Sequence, residues 1–140
     1  MIVVDTNVAS ELMRPSPSPV VRDWVSGQRG KDLYTSTVTV AVIRYGIERL
    51  PAGRRKELLR AVADEIFGIF AEQVLPFDTA AAAEYAAVVS HRDALGMPIE
   101  GFDAQIAAIC RARGAALATR NATDFRGTGI DVIDPWNTDG

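Results

Sequence analysis

The sequence predicts an α/β protein, a three-layer α/β/α sandwich with a four- or five-stranded parallel sheet. Short apolar runs alternate along the chain with longer segments of helical periodicity, and this alternation is typical of parallel βαβ units. The chain has 140 residues, 48% of them hydrophobic, which is enough for a substantial core. We therefore expect residues 1–140 to form a single domain.

The first strand is predicted at Ile2-Val3-Val4, an apolar run that ends at Asp5. A short helix follows it. The segment from Pro15 to Pro19 then reads as a turn whose last proline opens a second helix, because proline is well suited to the first helical position. The next strand is predicted at Leu33-Tyr34-Thr35.

Two helices are predicted between the second and third strands. Ser36 or Thr37 can cap the first, which runs to about Leu50 and is ended by Pro51-Ala52-Gly53. Apolar residues recur in both helices at intervals of three or four residues, as expected for a face that packs on a core. They are Val40, Ile43, Ile47 and Leu50 in the first helix, and Leu58 or Leu59, Val62, Ile66, Ile69 and Phe70 in the second.

The remaining chain predicts three strands and two helices. The strands are Val74 to Phe77, Ala115 to Ala118 and Ile130 to Ile133. Between the first two of these strands, Asp78 caps an Ala-rich helix, and a second helix runs from Glu100 to Arg113 and stops at Gly114. The core-facing residues are predicted to be Tyr85, Val88 and Val89 in the former helix and Phe102, Ile106, Ile109 and Cys110 in the latter.

Composition excludes several classes of function. A single cysteine rules out an intramolecular disulfide and a cysteine-rich zinc site, and a single histidine, His91, argues against a Ser-His-Asp triad or a histidine-rich metal site. Any metal should therefore be a hard cation held by carboxylates, Mg²⁺ or Mn²⁺. No apolar run approaches the roughly 20 residues of a membrane span, and the N-terminus lacks the pattern of a secretory signal. We expect a cytoplasmic protein.

The charge balance also bears on nucleic-acid binding. The net charge of −3 argues against a protein that coats nucleic acid, but it is compatible with a nuclease whose basic residues are local. Arg54-Arg55-Lys56 is one candidate basic cluster, although a solvated helix surface is the better interpretation of it. A second candidate cluster comprises Arg111, Arg113, Arg120 and Arg126.

Three carboxylates are predicted to meet at one edge of the sheet. Asp5 ends the first strand, Asp103 lies in the first turn of a helix, and Asp124 follows the fourth strand together with Asn121. In parallel α/β sheets ligands bind beyond the carboxyl ends of the strands. Clustered carboxylates repel one another unless a divalent cation compensates them, and such a cation can activate water and stabilise charge on a phosphodiester.

Each of these residues also has a purely structural interpretation. Asp5 or Thr6 can cap a helix, Asp103 can be a favourable charge at a helix start, and Asp124 and Asn121 can stabilise a turn. These interpretations are the better ones for each residue alone. Three acidic residues at matching ends of βαβ units together favour a metal site.

Several motifs in a fixed order span nearly the whole chain. They are Val4-Asp5-Thr6-Asn7 with Ser10-Glu11, Thr39-Val40-Ala41 through Arg44-Tyr45-Gly46, Phe102-Asp103-Ala104-Gln105-Ile106-Ala107, Thr119-Arg120-Asn121-Ala122-Thr123-Asp124-Phe125, and the closing Asp134-Pro135-Trp136. With these motifs the sequence resembles a PIN-domain ribonuclease of the VapC/FitB toxin type.

The resemblance implies a PIN-like fold and a magnesium-dependent endoribonuclease, with manganese as the alternative cation. It implies that Asp5, Asp103 and Asp124 hold the metal and that Asn121 belongs to the catalytic site. It also implies a homodimer, an RNA substrate and a small antitoxin protein whose C-terminal segment blocks the site.

Position 42 departs from the family pattern. Where the pattern has Val-Ala-Glu-(Leu/Ile)-Arg, this chain has Val40-Ala41-Val42-Ile43-Arg44. Val42 lies about 200° around the helix from Val40, away from the core stripe, on a second face shared with Val38 and Tyr45. That face is either simply buried or turned toward the acidic pocket. Two origins of the valine remain open: a substitution engineered to abolish activity, or natural drift toward an inactive protein.

A valine at this position cannot bind a cation, accept a proton or orient a water. Glu48 and Glu100 are candidates to compensate, although neither is at the matching position. We therefore predict a toxin-type ribonuclease that is catalytically impaired. The alternatives are a non-catalytic binding module that keeps the antitoxin surface, and a phosphatase or other hydrolase with an acidic magnesium site, which the fold alone would permit.

Overall fold

Strands and helices alternate along residues 1–137, the part of the chain that the computed structural model describes. The strands are β1 (Ile2–Val4), β2 (Leu33–Ser36), β3 (Val74–Leu75), β4 (Ala116–Ala118) and β5 (Val132–Ile133). The helices are α1 (Thr6–Leu12), α2 (Pro19–Ser26), α3 (Thr37–Glu48), α4 (Arg54–Phe70), α5 (Thr79–Ala94) and α6 (Gly101–Arg113), and 3₁₀ turns occupy Gly30–Asp32 and Ala122–Phe125.

All five strands pair in parallel, in the order β3-β2-β1-β4-β5. The central strand β1 places Val3 beside Tyr34 of β2 and beside Leu117 of β4. Since every strand runs in the same direction, all their carboxyl ends reach one edge of the sheet. This arrangement confirms the predicted α/β fold with a five-stranded parallel sheet.

Helices cover both faces of the sheet. Successive residues of β1 point to opposite sides, so Val3 joins a core built largely with α5 and α6, whereas Val4 joins one built with α1, α2 and α4. A third cluster packs α3 against α1 and α4 through Ile43 and Ile47. None of the helices in residues 1–137 combines the length and the apolar character needed to cross a bilayer.

Side chains cap the first turns of α3 and α5. The Ser36 hydroxyl accepts a hydrogen bond from the Thr39 N–H at 3.1 Å and so begins α3, as predicted. Asp78 accepts one from the Ala81 N–H and begins α5. At the other end of α6, Gly114 adopts a left-handed conformation with φ of 64°, which glycine tolerates better than other residues.

Two predicted core positions are wrong. Phe102 is 52% exposed in the first turn of α6, although it shares a helical stripe with the buried Ile106 and Ile109. In α4, Ile69 is 73% exposed, and of the two alternatives Leu58 and Leu59 the former is 55% exposed. The buried face of that helix instead passes through Ala63, Phe67 and Phe70, with Leu59 packed beside them.

Candidate active site

Asp5 lies at the centre of the carboxyl edge, directly after β1, and is only 4% exposed. Its Oδ1 accepts a 2.8 Å hydrogen bond from the Thr6 N–H, so the residue caps α1 as the structural interpretation predicted. Its Oδ2 accepts a 2.7 Å hydrogen bond from the hydroxyl of Thr119, which follows β4. The cap therefore uses one oxygen, and the other belongs to a network across the sheet edge.

Asn7 completes that network. Its Nδ2 donates to Thr119 Oγ1 at 3.1 Å and to Asp5 Oδ2 at 3.4 Å, and its Oδ1 accepts the Arg120 N–H at 3.2 Å. These contacts tie the end of β1 to the end of β4. Neither Asn7 nor Thr119 was singled out from the sequence as a site residue, although Thr119 immediately follows β4 and Asn7 lies two residues after Asp5.

Asp103 enters the site from the first turn of α6. The helix is capped by Glu100, whose two carboxylate oxygens accept the N–H groups of Phe102 and Asp103, each at 3.0 Å. Asp103, Glu100 and Asp124 line a pocket of about 210 Å³. Arg92, Pro98 and Ile99 complete its lining.

Asp124 lies in the 3₁₀ turn that follows β4. Its N–H donates to the carbonyl of Asn121 at 3.0 Å, and the Asn121 N–H donates to Thr119 Oγ1 at 3.1 Å. These backbone bonds shape the turn and leave the Asp124 carboxylate at the pocket wall. Asn121 is exposed beside it.

The pKa of Asp103 is raised by its surroundings. Burial raises the pKa of Asp103 from its ordinary 3.8 to about 6, and the negative charges of Asp5, Glu100 and then Asp124 add to the effect. The positive charge of Arg92 opposes it. Part of this shift therefore depends on the charges of neighbouring groups.

Burial likewise raises the pKa of Asp5 above its usual range, and the hydrogen bonds from Thr119, Thr6 and Asn7 only partly oppose this effect. The charge of Asp124 raises it further. The structure therefore brings Asp5, Asp103 and Asp124 within electrostatic reach of one another, from three separate segments of the chain.

Val42 lies half-buried on α3, away from the stripe formed by Val40, Ile43 and Ile47. It packs against the core cluster that also contains Val38, Ile106 and Phe125. The second-face placement predicted from helical geometry is thus observed. Ile106 lies one turn after Asp103, and Phe125 follows Asp124, so this apolar cluster adjoins the segments that carry the acidic pocket.

The two glutamates that could replace a carboxylate at position 42 differ in their surroundings. Glu48 is exposed at the end of α3 and pairs with Arg60 at 2.8 Å and Lys56 at 3.8 Å, outside the pocket. Glu100 lines the pocket beside Asp103. Both oxygens of Glu100 are engaged in capping α6, so this residue adds negative charge while serving mainly to begin the helix.

The predicted basic clusters do not form a continuous basic surface. Lys56 at the start of α4 is engaged with the Glu48 carbonyl at 2.9 Å. At the amino edge of the sheet, Arg111 pairs with Glu84 at 3.0 Å and Arg113 with Asp78 at 3.7 Å. Only two members of the second cluster follow β4 toward the carboxyl edge, Arg120 and Arg126.

The donor set fits a hydrated hard cation. Asp5, Asp103 and Asp124 supply carboxylate oxygens, and the pKa of Asp103 is raised by burial and by the negative charges of its neighbours. Within residues 1–137 no three acidic, histidine or cysteine side chains are arranged to enclose a metal ion. Mg²⁺ commonly keeps several water ligands and is held through one or two carboxylates, so it does not need such a cage.

Comparison with known proteins gives a consistent family. Residues 2–130 match the PIN domain. The chain is 39% identical over 97% of its length to VapC ribonuclease Y4jK of Sinorhizobium fredii, covering 98% of that protein. It is 36% identical over 98% of its length to Toxin FitB of Neisseria gonorrhoeae, covering 99%.

Comparison with solved structures points to the same family as the sequence comparison. The structure of FitAB bound to an IR36 DNA fragment contains a chain with a TM-score of 0.92 and 35% identity. The superposition covers 100% of this protein and 99% of that chain.

Proposed function

The chain belongs to the PIN domain family, and on that basis we propose that it is the toxin of a toxin–antitoxin pair of the VapC/FitB kind. We further propose a metal-dependent endoribonuclease site whose activity is weakened or lost in this chain because Val42 replaces the expected glutamate. RNA is the proposed substrate, and Mg²⁺, or alternatively Mn²⁺, the proposed cofactor.

One observation carries this proposal: carboxylates from β1, α6 and the turn after β4 lie within electrostatic reach of one another at the carboxyl edge of the sheet. Residues so placed destabilise the protein by mutual repulsion, and a cation would relieve that repulsion. Asp5, Asp103 and Asp124 are the residues that would hold it. A bound cation of this kind supplies an activated water and stabilises negative charge on phosphate oxygens.

The neighbouring residues suit substrate positioning. Asn121 is exposed next to Asp124 and offers an amide to the sugar or phosphate. The Arg120 guanidinium lies over the Trp136 ring, 4.9 Å from its centroid, which holds an exposed positive charge beside the acidic edge. Arg120 is therefore well placed to contact an RNA phosphate in an otherwise negative region.

Chelation tests the metal requirement. We expect a Val42→Glu version of the chain to cleave RNA in Mg²⁺ or Mn²⁺, and to lose that activity in excess EDTA and regain it when the cation is restored. A small phosphate ester, p-nitrophenyl phosphate, should not be hydrolysed at a comparable rate. Cleavage that persists in EDTA would contradict the metal requirement, and preferential hydrolysis of the ester would favour the phosphatase alternative.

The acidic pocket also predicts how the antitoxin binds. Arginine is suited to paired carboxylate contacts, so we expect an antitoxin arginine, or a lysine, to approach Asp5 and Asp103. Val42→Glu adds a negative charge near these residues, and we expect it to tighten the complex in calorimetric titrations with the cognate antitoxin.

Asp131→Asn is the matched control for the antitoxin measurement, because it removes a charge at the amino end of β5, on the opposite edge of the sheet. It should leave the affinity unchanged. Equal affinities for the chain and for Val42→Glu would mean that the pocket contributes little to the binding energy.

A non-catalytic binding module is the second candidate function, and the apolar packing of Val42 favours it. In that case the acidic edge serves only to bind the antitoxin, and Val42→Glu produces no ribonuclease.

For both candidate functions we propose a homodimer, supported by the exposed Tyr45 and Phe102 side chains. Light scattering should give twice the 15.1 kDa chain mass, and a 15.1 kDa species would contradict it.

A further inference from the structure

Arg92 is an almost fully buried arginine in the last turn of α5, with 6% of the residue exposed. Its guanidinium donates to three backbone carbonyls. Nε donates to Met97 O at 2.6 Å, and Nη1 donates to Asp124 O at 2.8 Å and to Arg126 O at 3.0 Å. A buried guanidinium is costly unless it is well hydrogen-bonded, so these contacts fix the side chain in one position.

The three carbonyls belong to the two segments that carry pocket carboxylates. Met97 lies in the connection that leads into α6, three residues before Glu100. The carbonyls of Asp124 and Arg126 lie in and directly after the turn that follows β4. One planar side chain therefore joins the approach to α6 to the turn that carries Asp124, and it lines the pocket between them.

The charge of Arg92 is not used in a direct ion pair. Among the ion pairs of residues 1–137, none involves Arg92. Its hydrogen bonds go to neutral carbonyls, so Arg92 occupies no carboxylate oxygen of the pocket. A residue whose task was to neutralise the pocket would instead bond a carboxylate.

Packing at Gly127 supports the same interpretation. This residue follows the Arg126 carbonyl and has a φ of +75°. A Cβ placed there would lie 3.2 Å from Leu95 Cδ1, 3.6 Å from Arg92 Cδ and 3.6 Å from Met97 Cε. The turn after β4 thus lies directly against Arg92 and the connection into α6, and a Cβ at the contact would press on the Leu95 side chain.

We propose that Arg92 is a positioning residue of the acidic pocket: its guanidinium fixes the separation between the segment leading to Asp103 and the turn that carries Asp124. This inference rests on the proposed function only in treating the pocket as a cation site. On this proposal the carbonyl contacts set the distance between the two carboxylates, and a hydrated cation is the group that would bridge them.

Two possible roles of Arg92 predict opposite effects on cation binding. If only its charge mattered, Arg92→Met would strengthen the binding of a divalent cation, because a nearby positive charge would be lost, and Arg92→Lys would change nothing. If its three-carbonyl geometry matters, both variants should weaken binding, because lysine has one nitrogen and cannot reproduce the planar arrangement. Loss of such supporting contacts commonly lowers metal affinity on the order of 10- to 100-fold.

The experiment measures Mn²⁺ affinity by electron paramagnetic resonance and backbone amide hydrogen exchange in metal-free protein. It compares the chain with Arg92→Lys, Arg92→Met and Gly127→Ala, which disturbs the contact without changing charge. Arg111→Met is the matched control, since Arg111 donates to the Thr128 carbonyl at 3.3 Å in the same loop but lies away from the pocket. It should lower stability and leave Mn²⁺ affinity unchanged.

We expect Arg92→Lys and Gly127→Ala each to weaken Mn²⁺ binding on the order of tenfold or more. In both variants, exchange should accelerate together at the Met97 and Asp124 amides. Unchanged affinity in Arg92→Lys, tighter binding in Arg92→Met, or exchange that changes in only one segment would overturn the proposal. If the unsubstituted chain binds no Mn²⁺, the proposed cation site fails, and the exchange pattern alone decides whether Arg92 holds the two segments together.

Discussion

Val42→Glu is expected to raise the rate of RNA cleavage on the order of 10²-fold or more, from little or no activity in the chain as it stands. A carboxylate beside a hard cation acts either as a ligand, directly or through water, or by orienting the attacking water. Such contributions fall mainly on the rate, because the rate depends on how water and metal are placed in the transition state. Cation binding should change less, since Asp5 and Asp103 are already present.

The surroundings of Val42 add a second expected effect of the same substitution. The valine packs half-buried against apolar neighbours, so a glutamate there must either lie in an apolar environment or turn toward the pocket. Burying an unpaired carboxylate is costly, and in metal-free buffer we expect a lower urea midpoint than that of the unsubstituted chain. Adding Mg²⁺ should recover part of this loss, because a cation that binds only the folded state stabilises it.

Val20→Glu is the matched control for the gain of activity. It introduces the same side chain at an exposed position of α2. Ribonuclease activity of that variant should stay at background. If the unsubstituted chain already cleaves RNA as fast as Val42→Glu, position 42 does not belong to the active site.

The parallel sheet and its alternation with helices were the part of this molecule that sequence reasoning predicted well. The β-branched run at residues 2–4 and the alternation of short strands with helices are local patterns, and parallel topology follows from them. That topology also predicts that Asp5 and Asp124 lie on the same edge, because each follows a strand. Caps such as Ser36 and Asp78 were predictable for the same reason: their hydrogen bonds lie within three residues.

What the sequence did not reveal depends on contacts between distant segments. The bonds from Arg92 go to main-chain carbonyls, which every residue possesses, so no residue pattern marks them. Thr119 is 114 residues from Asp5 and becomes its partner only when β4 pairs with β1. The exposure of Ile69 depends on which face of α4 meets the core, and an apolar spacing alone fits more than one face. Phe102 lies on the buried stripe of α6 but in its first turn, and apolar spacing does not show where along a helix that stripe stops being covered.

The final prediction concerns Asp103→Asn, which should abolish the ribonuclease activity of the Val42→Glu protein while increasing the stability of the fold at neutral pH. Activity is lost because an amide neither carries the charge that holds a hard cation nor accepts a proton. Stability increases because an ionised Asp103 is repelled by Asp5, Glu100 and Asp124 and is partly desolvated.

The pH dependence follows from the direction of the pKa shift. The pKa of Asp103 is about 6 in the folded protein, above its ordinary 3.8, so between these values the folded state binds more protons than the unfolded state. The free energy of unfolding therefore falls as pH rises through this window and levels off above about pH 6. Asparagine does not titrate, so the substitution removes this decline.

Urea unfolding of the unsubstituted chain and of Asp103→Asn in metal-free buffer, at pH 4 and at pH 7.5, measures the effect. At pH 7.5 we expect the variant to be more stable by about 1 kcal/mol, a modest value because solvent screens a half-exposed carboxylate. The difference should shrink at pH 4, where Asp103 is largely protonated. Asp131→Asn, at the opposite edge of the sheet, should show no such pH-dependent gain. A variant less stable than the chain at pH 7.5 would mean that the acidic residues do not repel one another, and the case for a cation that compensates them would fail with it.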